Sequence, residues 1–244
     1  MFQKSAYSFG LKVNAEIYQN IAENIDFKVI QKISQNQFQL ESLLFGKGNL
    51  LEKETEFNKK WHTEFNFIKT KFKISDEVFP VKFLRLMPPS FPTIRLSQLA
   101  NLYHLQPNLF SKILNAKNIQ DLKSFFKDVK TSEFWENHYT FEKSSEEKIA
   151  KFLSDDFVEI LLINAVLPVV YTYFKHLNSE KTEHILDFYK NLKPEKNSII
   201  SQWKKLGLKL NSALETQAFL FQHKHFCSEK NCLNCSIGFQ LLKS

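Results

Sequence analysis

The sequence is poor in the residues that interrupt or specialise a chain. Five glycines and seven prolines in 244 residues exclude collagen-like repeats and low-complexity linkers, and leave phosphate-cradling glycine loops scarcely available. No P-loop, glycine-rich dinucleotide turn, HExxH or nucleophile elbow occurs. The three cysteines all fall between positions 227 and 235, so no disulfide framework spans the chain and a reducing, cytoplasmic setting is expected. Missing too is an unbroken apolar run of the roughly 20 residues that cross a bilayer. The nearest approach, Ile160 to Phe174, is interrupted by Asn164 and Pro168 and reads as a proline-kinked core helix of a chain with no membrane partner. The opening MFQKSAYSFGLKVN lacks the charged head and apolar centre of a secretory signal. Arginine is the scarcest cation: Arg85 and Arg95 stand alone, and lysine fills every other permanently basic position.

What is present is ample apolar side chain, 43% of the residues, with an aromatic share of 14%, which excludes a disordered chain. A formal charge of +7 invites a nucleic-acid partner, although lysine scattered over helix faces is usually a solvated surface. Helical periodicity dominates. Phe57, Trp61, Phe65, Ile68 and Phe72 draw one stripe along an expected helix from Lys53 to Lys73. Glu52, Glu54 and Glu56 stand at its start and Lys69, Lys71 and Lys73 at its end, in keeping with the helix dipole. Further helices are expected at Leu11 to Glu23, Gln35 to Phe45, Ile94 to Tyr103, Leu109 to Asn115, Ile119 to Val129, Glu146 to Leu153, Phe157 to Phe174, Glu180 to Asn191, Ser198 to Leu206 and Ala213 to Phe226. The fold class is all-α: an irregular multi-helix bundle with short connections and one proline-rich loop. It is expected as one domain over 1–244, or as subdomains 1–75 and 93–244 joined by the loop 76–92.

Both arginines lie in FLRLMPPSFPTIRLSQLANLY, Phe83 to Tyr103. Where lysine serves most positions, retained arginine suggests a need for a planar, five-donor fork that grips carboxylate or phosphate. Thr93 after Pro92 reads as a helix N-cap, placing Arg95 in a first turn, where a cation opposes the dipole unless an anion is close. Two readings stand. Arg85 and Arg95 hold an external phosphate or carboxylate, or they close internal ion pairs, with Glu41 in FQLESLLFG as partner.

Cys227, Cys232 and Cys235 are spaced by four and then two residues. Cys-x-x-Cys is a compact bite for zinc, and His223, four residues before Cys227, would complete a Cys3His set on one helix face. The same spacing opens a plant-type iron–sulfur run, whose distant fourth cysteine is absent, and three inert thiols at a helix end remain the third reading. His138 in WENHYTF and Glu195 with Asn197 in KPEKNSII are polar candidates, Asn197 equally a helix cap.

Several segments together resemble the bacterial family known as domain of unknown function (DUF) 2851: FGLKVNAEIY, FQLESLLFGKGNLL, FLRLMPPSFPTIRLSQLA, FWENHYTF, LLINAVLPVVYTYF, PEKNSIISQW, and ETQAFLF leading into FCSEKNCLNCSIG. The resemblance implies that the chain corresponds to the C-terminal portion of longer members. Their N-terminal portion carries Gly-Pro-Asp and Glu-x-His elements similar to metal-dependent nucleases of the restriction-endonuclease type, and no such elements occur here. It also draws attention to Asn14, Glu41, His138, Asn164, Glu195, Gln217 and the cysteines. The expected function is therefore a non-catalytic helical accessory or binding module, working with a nuclease-like partner segment on nucleic acid. The alternative is a structural or protein-interaction module with internal Arg–carboxylate bridges and a C-terminal cysteine cluster, zinc-bound or inert.

Overall fold

A computed structural model describes residues 1–243. It is all-helical, with no strand among the described residues and only isolated antiparallel bridges at Lys130–Phe152 and His138–Ser144. The chain forms two compact units, Met1–Val170 and Tyr171–Ser244. The division falls inside a helix, and the proline-rich segment 76–92 lies wholly within the first unit.

The first unit contains α1 (Phe2–Phe9), α2 (Leu11–Glu23), α3 (Phe27–Ile33), α4 (Gln37–Lys47), α5 (Lys59–Phe72), α6 (Pro92–Leu105), α7 (Leu109–Leu114) and α8 (Ile119–Ser124), with most of α9 (Asp155–His176). Helix α6 is its axis: Ile94, Leu96, Leu99, Ala100, Leu102 and Tyr103 are all buried, and α1 and α4 both pack on it. Gly46 lets α5 approach α4, because a Cβ there would lie 2.3 Å from the Phe65 ring. The second unit contains the end of α9, α10 (Lys181–Asn191), α11 (Ser198–Lys205), α12 (Ala213–Gln222) and α13 (Ser236–Lys243). Its core gathers Ile185, Phe188, Leu192, Ile200, Leu210 and Ala213. Asn197 caps α11 as expected, its side chain accepting from Ile200 N at 2.9 Å.

Three expectations are corrected. Helix α5 begins at Lys59 rather than Lys53, because Asn58 folds the preceding residues into a turn: its Oδ1 accepts from Thr55 N at 2.8 Å and its Nδ2 donates to the Lys53 carbonyl at 2.9 Å. The acidic trio therefore precedes the helix. Residues 146–153 form no helix. Thr131 N donates to Lys151 O at 3.2 Å and Leu153 N to Val129 O at 2.9 Å, so the segment is claimed by its neighbour in extended form. Thr93 is not a cap, since Pro92 occupies the first helical position after Phe91; its hydroxyl donates to Tyr139 O at 2.5 Å.

Helix α9 is longer than the apolar run suggests. At 22 residues it is long and apolar enough to cross a membrane, yet 61% of its most apolar stretch is buried inside the protein, as a core helix would be. Its break points Asn164 and Pro168 are exposed, as is Ile160 one turn before them, while Leu161, Leu162, Ala165, Val166 and Leu167 are buried. A π-turn at Leu162–Val166 precedes Pro168, so the missing proline donor is absorbed by widening the helix.

Candidate functional site

The proline-rich segment is held down from both ends by side chains that imitate backbone. Asn14 is buried on α2. Its Nδ2 donates to Lys82 O and its Oδ1 accepts from Lys82 N, each at 2.8 Å. Nearer the start, Phe79 N donates to Lys47 O at 2.8 Å and Val81 N to Gly48 O at 3.1 Å. The Lys47 ammonium, 0% exposed, donates to Asn24 Oδ1 and to the carbonyls of Ser75 and Glu77. Burial lowers its pKa, opposed by Glu77 and Asp76. At the far end, Tyr18 OH donates to Pro92 O at 3.3 Å.

Between these anchors the chain turns outward. Leu86 N donates to Phe83 O at 3.2 Å, closing a turn over Leu84 and Arg85, and Arg85 sits at φ 62°, a conformation that costs a non-glycine residue on the order of 1 kcal/mol or more. The turn presents Arg85 to solvent with Leu84 at 76% and Met87 at 74% exposure, and the Lys82 side chain is exposed beside it.

Arg95 does something different. Its guanidinium carbon lies 3.9 Å above the Phe157 ring, Nη1 donates to Gln98 Oε1 at 3.1 Å, and Nε is buried without a partner. Burial pulls its pKa down to about 10, opposed by Tyr18, so it stays a cation at neutral pH. No ion pair involves it among the described residues. The structure therefore separates the two arginines: one is displayed, one is stacked in the core.

The expected pairing of Arg95 with Glu41 is not made. Glu41 is 0% exposed and accepts only from neutral groups. These are Ser97 Oγ at 2.5 Å and Gln37 Nε2 at 3.4 Å on Oε1, and Ser132 Oγ at 3.0 Å and Trp61 Nε1 at 3.3 Å on Oε2. Burial raises its pKa above the ordinary carboxylate value, and these donors oppose the rise. The knot extends outward, with Ser132 N donating to Ser97 Oγ at 3.1 Å and Asn101 bridging Gln37 and Lys130 N. Fully enclosed, Glu41 ties α4, α5, α6 and the 130s together and meets no solute. Beside it Trp61, Phe134, Trp135 and Phe141 pack edge to face. His138 stacks on Phe134 at 4.1 Å with Nδ1 against Phe134 O and Asn137 Oδ1, which is a packing role.

In the second unit Gln217 Nε2 donates to Glu195 Oε2 at 2.5 Å, and Glu195 N donates to Thr216 Oγ1 at 3.2 Å: a helix-to-loop tether. Asn164, on α9, donates to Ile160 O at 3.2 Å. The cysteines follow α12, whose winding widens into a π-turn at His223–Cys227. Cys235 is buried and accepts from Gln222 Nε2 at 2.8 Å and Gly238 N at 3.4 Å, while Cys227 and Cys232 are exposed. Burial and the two other thiols raise the Cys227 pKa. Among the described residues no three His, Cys, Asp or Glu side chains are arranged to hold a metal ion. Cys227, Cys232, Cys235 and His223 are accordingly not gathered as a ligand set among the described residues.

Sequence reasoning missed Lys47, Asn24, Ser97, Gln98 and Ser132. Lys47 had one available signal: a lone ammonium ending the apolar run LESLLFG.

Comparison with known families gives one result. The family model for a protein of unknown function (DUF2851) matches residues 1–198. The chain belongs to this family. The expectation that only the C-terminal portion of DUF2851 is represented is not borne out by this match. Asn14, Glu41, both arginines, His138, Asn164 and Glu195 lie inside the DUF2851 match, whereas Gln217, His223 and the cysteines lie outside it. No curated protein and no solved structure matches the chain.

Proposed function

We propose that this DUF2851 chain is a non-catalytic helical binding module whose contact element is the turn at 82–87, acting on nucleic acid in the cytoplasm beside a nuclease-like partner segment. The observation that carries the reading is Arg85, held at positive φ on a turn pinned by Asn14 and exposed together with Lys82. A strained, anchored cation fits phosphate contact, and flanking apolar side chains suit wedging against bases. Arg95, stacked on Phe157 and bonded to Gln98, is left out of this contact element.

The test is a salt titration of binding to labelled duplex and single-stranded DNA. Affinity should fall linearly in log–log form, and Arg85→Gln should weaken all sequences alike and reduce the slope by about one. Absence of binding at low salt overturns the proposal. The exposed Leu84 and Met87 favour a second reading, a protein partner, because leucine and methionine beside arginine suit an interface core. If Leu84→Ser with Met87→Ser leaves DNA affinity unchanged, those side chains take no part in the nucleic-acid contact, as the second reading expects.

A further inference from the structure

A cavity lies on another part of the first unit. A cleft of about 690 Å³ opens between the start of α1, the α2–α3 corner, residues 107–111 and Val169 of α9, a volume in the range that holds small organic ligands. Its floor is aromatic. Phe2, Phe27 and Tyr103 contact one another with ring centroids 4.9 to 5.9 Å apart. The Tyr103 hydroxyl is turned away to Ser5 Oγ at 3.4 Å, so its ring offers only an apolar surface. Ile25, Leu109 and Ala22 complete the wall.

The polar groups of the cleft are unequal in sign. Glu23 accepts from Gln19 through Oε1 at 2.7 Å, and Asp26 caps α3 through Oδ1 at 2.9 Å from Lys28 N. Both residues line the cleft, and neither forms an ion pair among the described residues. Met1 also lines it, and burial, reinforced by Lys4, lowers the pKa of its amine and weakens it as a cation. The two acids outweigh it.

We propose that this cleft binds a small organic molecule with an apolar body and a cationic head. The body covers the aromatic floor, and the head lies near Glu23 and Asp26, where the Phe27 ring face adds cation–π attraction. The reading is independent of the turn at 82–87, which shares no residue with the cleft.

The test uses alkyltrimethylammonium ions below their micelle concentration, titrated calorimetrically into the whole chain, with decyl sulfate as the charge-reversed control. Decyltrimethylammonium should bind, and each methylene removed down to octyl should weaken binding about fourfold. Decyl sulfate should bind at least about tenfold more weakly. Glu23→Gln with Asp26→Asn keeps the Gln19 and capping bonds while removing charge, and should erase the preference for the ammonium head. Ala22→Phe should plug the cleft and weaken every probe, with circular dichroism to confirm folding. If that variant does not fold, Val169→Trp on a half-exposed wall serves in its place. Failure of decyltrimethylammonium to bind, equal affinity for the sulfate, or binding unchanged by a folded plug variant overturns the proposal.

Discussion

Replacing Glu41 by glutamine keeps the shape of a buried side chain and removes its titration. The carboxyl is 0% exposed and faces four neutral donors with no cation, and its folded-state pKa is raised by burial above the ordinary value. In the unfolded chain it titrates near about 4.3. Between that pH and the higher folded pKa, the folded protein binds more protons than the unfolded one, so raising the pH favours unfolding. The contribution is complete below about pH 4.3 and is lost as pH rises through the folded pKa, with a limiting slope of about 1.4 kcal/mol per pH unit for one proton. Glu41→Gln lacks that slope. Urea unfolding of both proteins at half-unit steps from pH 4 to 8 measures it directly. The stability of the native chain minus that of the variant should decline with pH before levelling. A difference that stays flat, or that climbs with pH, refutes the reasoning, because a climb would mean the donors hold the carboxylate ionised against burial.

Three further outcomes are expected. Asn14→Ala orphans the N–H and carbonyl of Lys82, costing about 2–4 kcal/mol; hydrogen exchange should quicken across 76–92, and unchanged exchange there would remove Asn14 as the anchor. Gly46→Ala drives a methyl into the Phe65 ring and should destabilise by about 1–2 kcal/mol in urea unfolding despite alanine's better helix propensity. With a disulfide reagent on native protein, Cys227 and Cys232 should react promptly and Cys235 only after unfolding; prompt reaction of all three contradicts the burial of Cys235.

Periodicity exposed what depends on local sequence. Helix α2 runs from Leu11 to Glu23, the bounds its pattern suggests; α6 is two residues longer than expected at each end, and α10 starts one residue later and ends where expected. It failed where a single polar residue overrides a stripe, as Asn58 does before α5, and where a helical pattern is recruited by a partner distant in sequence, as 146–153 is by 129–131. Scarcity was a good guide to Arg85 and a misleading one to Arg95, which stays unpaired because aromatic stacking replaces a carboxylate. Lys47 was passed over because lysine reads as surface, although its place at the end of an apolar run set it apart. Glu41 was legible as an odd charge among apolar neighbours, but apart from Gln37 on its own helix its donors come from three separate segments that no spacing rule connects.

The Glu41 knot also has a temporal consequence. Its acceptor is made early and the Ser132 hydroxyl that completes it comes 91 residues later. At synthesis rates of about 5–20 residues per second, the nascent chain carries a hydrated Glu41 for roughly 5–20 s before that donor exists. Helices α1 to α5 can therefore form on the ribosome without their final packing, and the first unit locks only once the 130s have been made.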